Sequence, residues 1–255
     1  MKERRSVPSM CRMVGVVFNG KFPMRSLSDL RHVAEIGKVP EQGDEVDGHR
    51  DGWGMVSFGN GSPYYLGRSP RPIHMDPSFD SALTGIAALE RPNILICHAR
   101  RGSEGEVSLP NTHPFISAGV TFAHNGGVKE FHPQTSYMPR GSTDSERVFA
   151  LFVDRYERLG DVGDAIASIL EDDVRAHEFT GLVFLASDGR ALYGYREYGK
   201  GRDGNYYNLK YVVGDDCVVL YQESRSDDDA QATQVDNGSL IRIGLDLKVE
   251  MKRLN

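Results

Sequence analysis

Five short clusters gather the reactive side chains of this 255-residue chain. Met10-Cys11-Arg12 opens an apolar run, and His49 to Gly54 reads HRDGWG. His98 to Ser103 reads HARRGS and continues to NTHPF at Asn111 to Phe115, Ala123 to Gly127 reads AHNGG, and Ser142 to Glu146 reads STDSE. A cysteine thiolate can attack a carbonyl carbon, an arginine fork suits a carboxylate, and an aspartate suits an ammonium group. Each residue also has a plainer reading. A lone cysteine at a strand start usually packs a core. Cys97 and Cys217 lie within apolar runs and read as small buried residues. His98, His113 and His124 sit on separate segments without HxxxH or CxxC spacing, so structural hydrogen bonding is favoured over a zinc site and no metal is expected. Asp144-Ser145-Glu146 would suit any helix N-terminus, and Trp53 any core.

The elements that must position these clusters follow from hydrophobic period and turn residues. Cys11 to Phe18 reads as a strand ending at the turn dipeptide Asn19-Gly20. A helix is expected from about Ser26 to Ile36 behind a serine cap, closed by Gly37. Met55 to Phe58 and Tyr64-Tyr65-Leu66 suggest a hairpin, followed by a helix over Ser78 to Leu89. Asn93 to His98 and Val120 to Ala123 are nearly continuous apolar runs, as strands covered on both faces require. The STDSE cluster has capping-box features ahead of an amphipathic pattern that runs to Leu159, and a further helix is expected over Val162 to Ala176. Strands then return at Gly181 to Ala186, Ala191 to Tyr198, Tyr206 to Gly214, Cys217 to Gln222, Leu240 to Ile243 and Leu247 to Met251. The polar stretches Arg202 to Asn208 and Ser224 to Gly238 read as surface loops. Strands, central helices and strands again imply helices layered on packed sheets, an α+β class.

Composition narrows the function classes. The length suits one large domain, with no internal repeat. A net charge of -6 without a long basic run argues against a nucleic-acid partner. No apolar stretch approaches the ~20 residues of a membrane span, and the basic start is followed by no apolar signal core, so a soluble cytoplasmic protein is expected. Three cysteines without paired spacing give no disulfide framework.

In their order along the chain, the clusters resemble the class II glutamine amidotransferases. The resemblance is nearest to the short, free-standing members whose motifs read MCR, DGWG, HxRxxS, NxHPF, HNG and TDSE. It holds in register from about Met10 to Phe152, and beyond Leu159 only the strand pattern supports it. It implies an N-terminal-nucleophile (Ntn) hydrolase, with a four-layer αββα sandwich of two mainly antiparallel sheets and no cofactor. It also implies roles. Cys11, as the first residue of the mature chain, is the nucleophile, with its own α-amine as base, because a free α-amine titrates at about 7.7–8.0. Asn125 and Gly126 stabilise the tetrahedral oxyanion. Arg100, aided by the Ser103 hydroxyl, holds the α-carboxylate of L-glutamine or another γ-glutamyl amide, and Asp144 holds its α-ammonium. His49 and Asp51 to Gly54 correspond to a turn that braces the nucleophile, with His49 placed among the substrate-binding residues.

One departure stands at the start: Met1 to Met10 precede Cys11, and an acylated Cys11 has no basic amine. Residues 1–10 are either a misassigned start, the favoured reading because Met10 directly precedes Cys11, or a cleaved propeptide, ahead of an amidotransferase domain over 11–255. A retained extension is the third option. Three functions follow: a glutaminase subunit feeding ammonia to a separate synthase, a free-standing hydrolase of a γ-glutamyl metabolite, or a catalytically silent binding module. The leaving amine and a homo-oligomeric state stay open.

Overall fold

Strand β1 (Arg12–Phe18) is buried along its whole length, and the alternation of its side chains accounts for this. Val14, Val16 and Phe18 point into one apolar layer, while Met13 and Val17 point into another. Such a strand needs a cover on each face. The computed structural model describes residues 11–37, 48–102, 104–223 and 231–254. Within them, β1 is the middle of a seven-stranded antiparallel sheet. On one side lie β4 (Asn93–Ala99), β2 (Trp53–Gly59) and β3 (Ser62–Ser69); on the other lie β10 (Cys217–Tyr221), β9 (Lys210–Val213) and β11 (Thr233–Gln234). A second sheet runs in the order β13 (Val249–Arg253), β12 (Ser239–Gly244), β8 (Ala191–Tyr198), β7 (Gly181–Ser187), β6 (Val120–Asn125) and β5 (Phe115–Ser117).

Three apolar layers hold these sheets and the helices together. Met13, Ile94, Ile96, Val183, Leu185, Leu192 and Ile241 fill the space between the sheets. Gly15 permits the approach there, since a Cβ at that position would lie 2.8 Å from the Leu192 side chain. Helices α1 (Met24–Ile36) and α2 (Pro77–Gly85) cover the outer face of the first sheet through Leu27, Leu30 and Phe79. Helices α3 (Asp144–Leu159) and α4 (Val162–Asp172) cover the second through Phe149, Phe152, Ile166 and Ile169. The result is the four-layer αββα sandwich, and no helix among the described residues is long and apolar enough to cross a membrane.

The expected elements recur with shifted ends. Helix α1 starts at Met24 behind Pro23, not behind a serine cap; Ser26 lies inside its first turn and bonds the Pro23 carbonyl. The helix over Ser78 to Leu89 splits into α2 and a 3-10 turn at Ile86–Ala88, and that over Val162 to Ala176 into α4 and a turn at Val174–Ala176. Thr143 caps α3 by accepting from the Glu146 amide, but Glu146 reaches to the Arg140 and Gly141 amides rather than back to the cap. Strand β5 was not foreseen. Of Tyr206 to Gly214 only Lys210–Val213 is a strand, and the Arg202 to Asn208 stretch is no simple surface loop, because Tyr206 and Tyr207 are buried. In the stretch Ser224 to Gly238, residues 224–230 lie outside the described residues; beyond them Thr233–Gln234 pairs with β9 and Val235 is buried.

Candidate active site

Antiparallel pairing brings the start of β1, the end of β4 and the start of β2 to one end of the sandwich, with Arg12 and Trp53 both opposite Ala99. The end of β6 and the start of β7 meet at the same end of the facing sheet, with Asn125 opposite Val183. Four of the five clusters lie on or just beyond these ends, and STDSE, at the start of α3, is tied to them by the Asp144 carboxylate on Val128 N. Hydrogen bonds of the Asn125 side chain join the two sheets there; in the first of them the Cys11 backbone N donates to Asn125 Oδ1 at 2.8 Å, across 114 residues of chain. Cys11 Sγ lies against the HARRGS backbone, receiving the Arg101 N–H at 3.4 Å and facing the Arg101 carbonyl at 3.6 Å.

The HRDGWG cluster fixes that backbone. Asp51 N donates to the Arg100 carbonyl at 2.9 Å, Arg100 N donates to the Gly52 carbonyl at 2.8 Å, and Asp51 Oδ2 accepts from Gly102 N at 2.8 Å. The turn therefore clamps residues 100–102 against the thiol. His49 is buried at the end of α1, with its backbone N on the Ala34 carbonyl at 2.7 Å. Burial holds its ring neutral, reinforced by the nearby charge of Arg12. Trp53 packs edge-on against Phe79 and donates to the α2 cap Asp76 at 3.1 Å, so it is core and helix anchor together.

Gly126 has φ +137°, and a Cβ there would lie 1.8 Å from the Gly181 carbonyl. Only glycine fits. The next glycine, Gly127, lies over the Asp144 carboxylate, where a Cβ would stand 3.2 Å from Oδ2. Asp144 accepts from Val128 N at 2.7 Å and from Ser145 N at 2.8 Å. Burial raises its carboxyl to about 6 although both amides oppose the rise. His124 bridges Ser145 Oγ at 3.0 Å and the Gly181 carbonyl at 3.1 Å. Since a carbonyl only accepts, its Nε2 carries the proton. His98 and His113 depart from the expected hydrogen-bonded role. Their rings lie tilted against each other with centroids 4.4 Å apart, and neither has a nitrogen at hydrogen-bond geometry among the described residues.

Arg100 is 2% exposed, and its guanidinium donates to the carbonyls of Glu104, Gly105 and Glu106. It thus shapes the turn after HARRGS as well as standing at the site. Asn111 of NTHPF ties that turn to the STDSE cluster, with Nδ2 on the Glu106 carbonyl at 3.0 Å and Oδ1 accepting from Ser142 N at 2.8 Å. Ser103 lies outside the described residues. Cys97 is buried in β4, where burial pushes its thiol up, and Cys217 is half-buried at the far end of β10. Among the described residues no group of three or more His, Cys, Asp and Glu is placed to hold a metal.

Sequence reasoning missed the support that the last third of the chain gives this site. Arg12, beside the nucleophile, pairs with Glu223 at 2.6 Å, donates to the Cys11 carbonyl at 3.0 Å and lies 4.1 Å from the centre of the Tyr206 ring. The Tyr207 ring occupies the space beside Gly181, where a Cβ would come within 2.3 Å of it. Two adjacent tyrosines inside a polar stretch were the available signal.

Comparison with known proteins agrees with this arrangement. The profile of the family described as glutamine amidotransferases class-II matches residues 10–232. An uncharacterized protein of Methanocaldococcus jannaschii is 28% identical over 217 residues, 80% of this chain and 56% of its own. The probable glutamine amidotransferase DUG3 of Saccharomyces cerevisiae is 35% identical over 178 residues, 59% of this chain and 47% of its own. The chain thus spans about half the length of these two relatives. Among solved structures, the glutamine phosphoribosylpyrophosphate amidotransferase of B. subtilis shares the fold with a TM-score of 0.61 at 17% identity, over 96% of this chain and 49% of that one. With the family profile spanning most of its length and the ordered clusters gathered at one end of an αββα sandwich, the chain belongs to the class II glutamine amidotransferases.

Proposed function

We propose that the protein hydrolyses the γ-amide of L-glutamine or of another γ-glutamyl compound through a thioester on Cys11, from a mature chain whose domain begins at that residue. The observation that supports this reading is the 2.8 Å contact between Cys11 N and Asn125 Oδ1, which joins the two residues across the two sheets. The free α-amine of Cys11 takes the thiol proton, and Sγ bonds to the amide carbon. Asn125 Nδ2 and the backbone at Gly126 receive the negative oxygen. The α-ammonium then protonates the leaving nitrogen, ammonia or an amine departs, and the thioester remains. Water, losing a proton to the same amine, attacks the thioester; glutamate leaves and the thiol re-forms. Arg100, with Ser103, holds the substrate carboxylate, Asp144 its ammonium, and His49 and Asp51 brace the segment beside the thiol. The ammonia goes either to water or to a synthase subunit, as the half-length match to a phosphoribosylpyrophosphate amidotransferase suggests. The glutamine analogue 6-diazo-5-oxo-norleucine tests the assignment: one equivalent is expected on Cys11 by peptide mass spectrometry, with activity lost in parallel. Labelling of Cys97 or Cys217 with loss of turnover, or no labelling of an inactive protein, points instead to a wrong nucleophile or a silent binding module.

Asp144 gives a pH signature. Its carboxyl, raised to about 6 by burial, must be ionised to hold an ammonium, so binding weakens as pH falls through that value. The sign is the reverse for the ligand-free fold. A carboxyl that binds its proton more tightly folded than unfolded contributes stability that is lost as pH rises to about 6. With the α-amine base titrating near 7.7–8.0, the logarithm of kcat/KM should rise with unit slope just below that range and with slope of about two below pH ~6. Asp144→Asn should raise KM and keep unit slope throughout, as read from a pH profile.

A further inference from the structure

Asn125 sits in a directional chain of amides. Its Oδ1 accepts from the Cys11 backbone N, which fixes the side-chain flip and turns Nδ2 the other way. That Nδ2 donates to Gln222 Oε1 at 3.2 Å. Gln222 is fully buried just past the end of β10, its backbone N on the Met13 carbonyl at 3.3 Å. Its own flip is set by the far end of the chain, where Nε2 donates to the Asn208 carbonyl at 3.4 Å. A backbone donor at one end and a backbone acceptor at the other therefore leave one consistent orientation for both amides. Asn125 Nδ2 has two hydrogens, and Gln222 engages one of them, which aims the second.

From this we infer that Gln222 is a positioning residue for the oxyanion hole, acting through Asn125 and anchored by the turn at 206–208. This rests on reading Asn125 as the oxyanion donor. The anchor is specific to that end of the site: Tyr206 lies against Arg12, which holds the Cys11 carbonyl; Tyr207 packs on Gly181, whose carbonyl abuts Gly126; and Asn208 holds Gln222. Three successive residues thus support Cys11, Gly126 and Asn125. A donor held before the charge develops needs no reorganisation during attack, so loosening it should cost turnover rather than ground-state binding.

A double-mutant cycle tests this. Gln222→Met keeps the length and volume and removes the acceptor. With L-glutamine, and with any faster γ-glutamyl amide, on protein shown by mass to begin at Cys11, Gln222→Met should lower kcat about tenfold, with KM changed by less than about twofold. In an Asn125→Ala background the same substitution should change kcat by less than about twofold, because nothing remains to be aimed. Thermal unfolding of each variant confirms a folded protein. If Gln222→Met is silent alone, or equally harmful with and without Asn125, the inference falls while the oxyanion reading stands. If Asn125→Ala is itself silent, or the parent protein turns over no γ-glutamyl amide, the underlying reading falls as well.

Discussion

Protein that retains residues 1–10 should hydrolyse γ-glutamyl amides about 10²–10⁴-fold more slowly than protein beginning at Cys11, the range that a positioned general base contributes. An amide nitrogen shares its lone pair with the carbonyl and takes up no proton near neutral pH, whereas a free α-amine titrates at about 7.7–8.0. The backbone N–H and carbonyl of Arg101 lie at Cys11 Sγ, and neither is a base at neutral pH. The buried histidines nearby are poor substitutes, since burial lowers His98 to about 3 and His124 to about 4. Intact mass paired with initial rates decides the matter: activity should track the fraction of chains that start at Cys11, and Cys11→Ala should remove it. A fully active preparation that keeps Met1 to Met10 would show that another base serves the thiol.

Much of this site was legible because its chemistry demands residue types that are rarely grouped by chance. Cys11, Asn125, Gly126 and Asp144 were named through the family resemblance that the ordered clusters carry, and the β-branched runs placed Cys11 and Asn125 at strand ends. The turn at Asp51 to Gly54 was named through the same resemblance, but the backbone groups it holds were hidden. Nothing in the composition says that Asp51 will receive the Gly102 amide or that Arg100 will also gather three carbonyls, since those contacts depend on how two loops pack. Gln222 was equally hidden, as a lone polar residue at a strand end normally faces water. Its role needs β10 to pair with β1 so that residue 222 arrives beside Asn125. The tyrosines at 206 and 207 failed for a related reason: a Gly- and Asp-rich neighbourhood outweighed two large aromatic rings whose burial depends on Arg12 and Gly181.

Arg100 and Asn125 should part company kinetically, because one is proposed to meet a charge present throughout and the other a charge that exists only during attack. Removing a charge-assisted contact worth about 1.5–3 kcal/mol should raise KM for Arg100→Ala roughly tenfold to a hundredfold, with kcat changed much less. The structure adds a second consequence. The carbonyls of Glu104, Gly105 and Glu106 lose the Arg100 donor, so Arg100→Ala should also unfold at lower temperature, whereas among the described residues Asn125→Ala loses hydrogen bonds to Cys11 N and Gln222. Asn125→Ala should instead lower kcat by about 10²–10³ with KM nearly unchanged, the usual scale for one oxyanion donor. Arg101→Ala is the control. Its backbone N–H and carbonyl, the parts that flank Sγ, survive the substitution, so both kinetic parameters should stay within about twofold of the parent. Steady-state kinetics on the three variants, each checked for an exposed Cys11, separate the roles. A KM effect at Arg101 in place of Arg100 would move the carboxylate site by one residue along HARRGS, and a silent Asn125→Ala would remove the oxyanion role from β6.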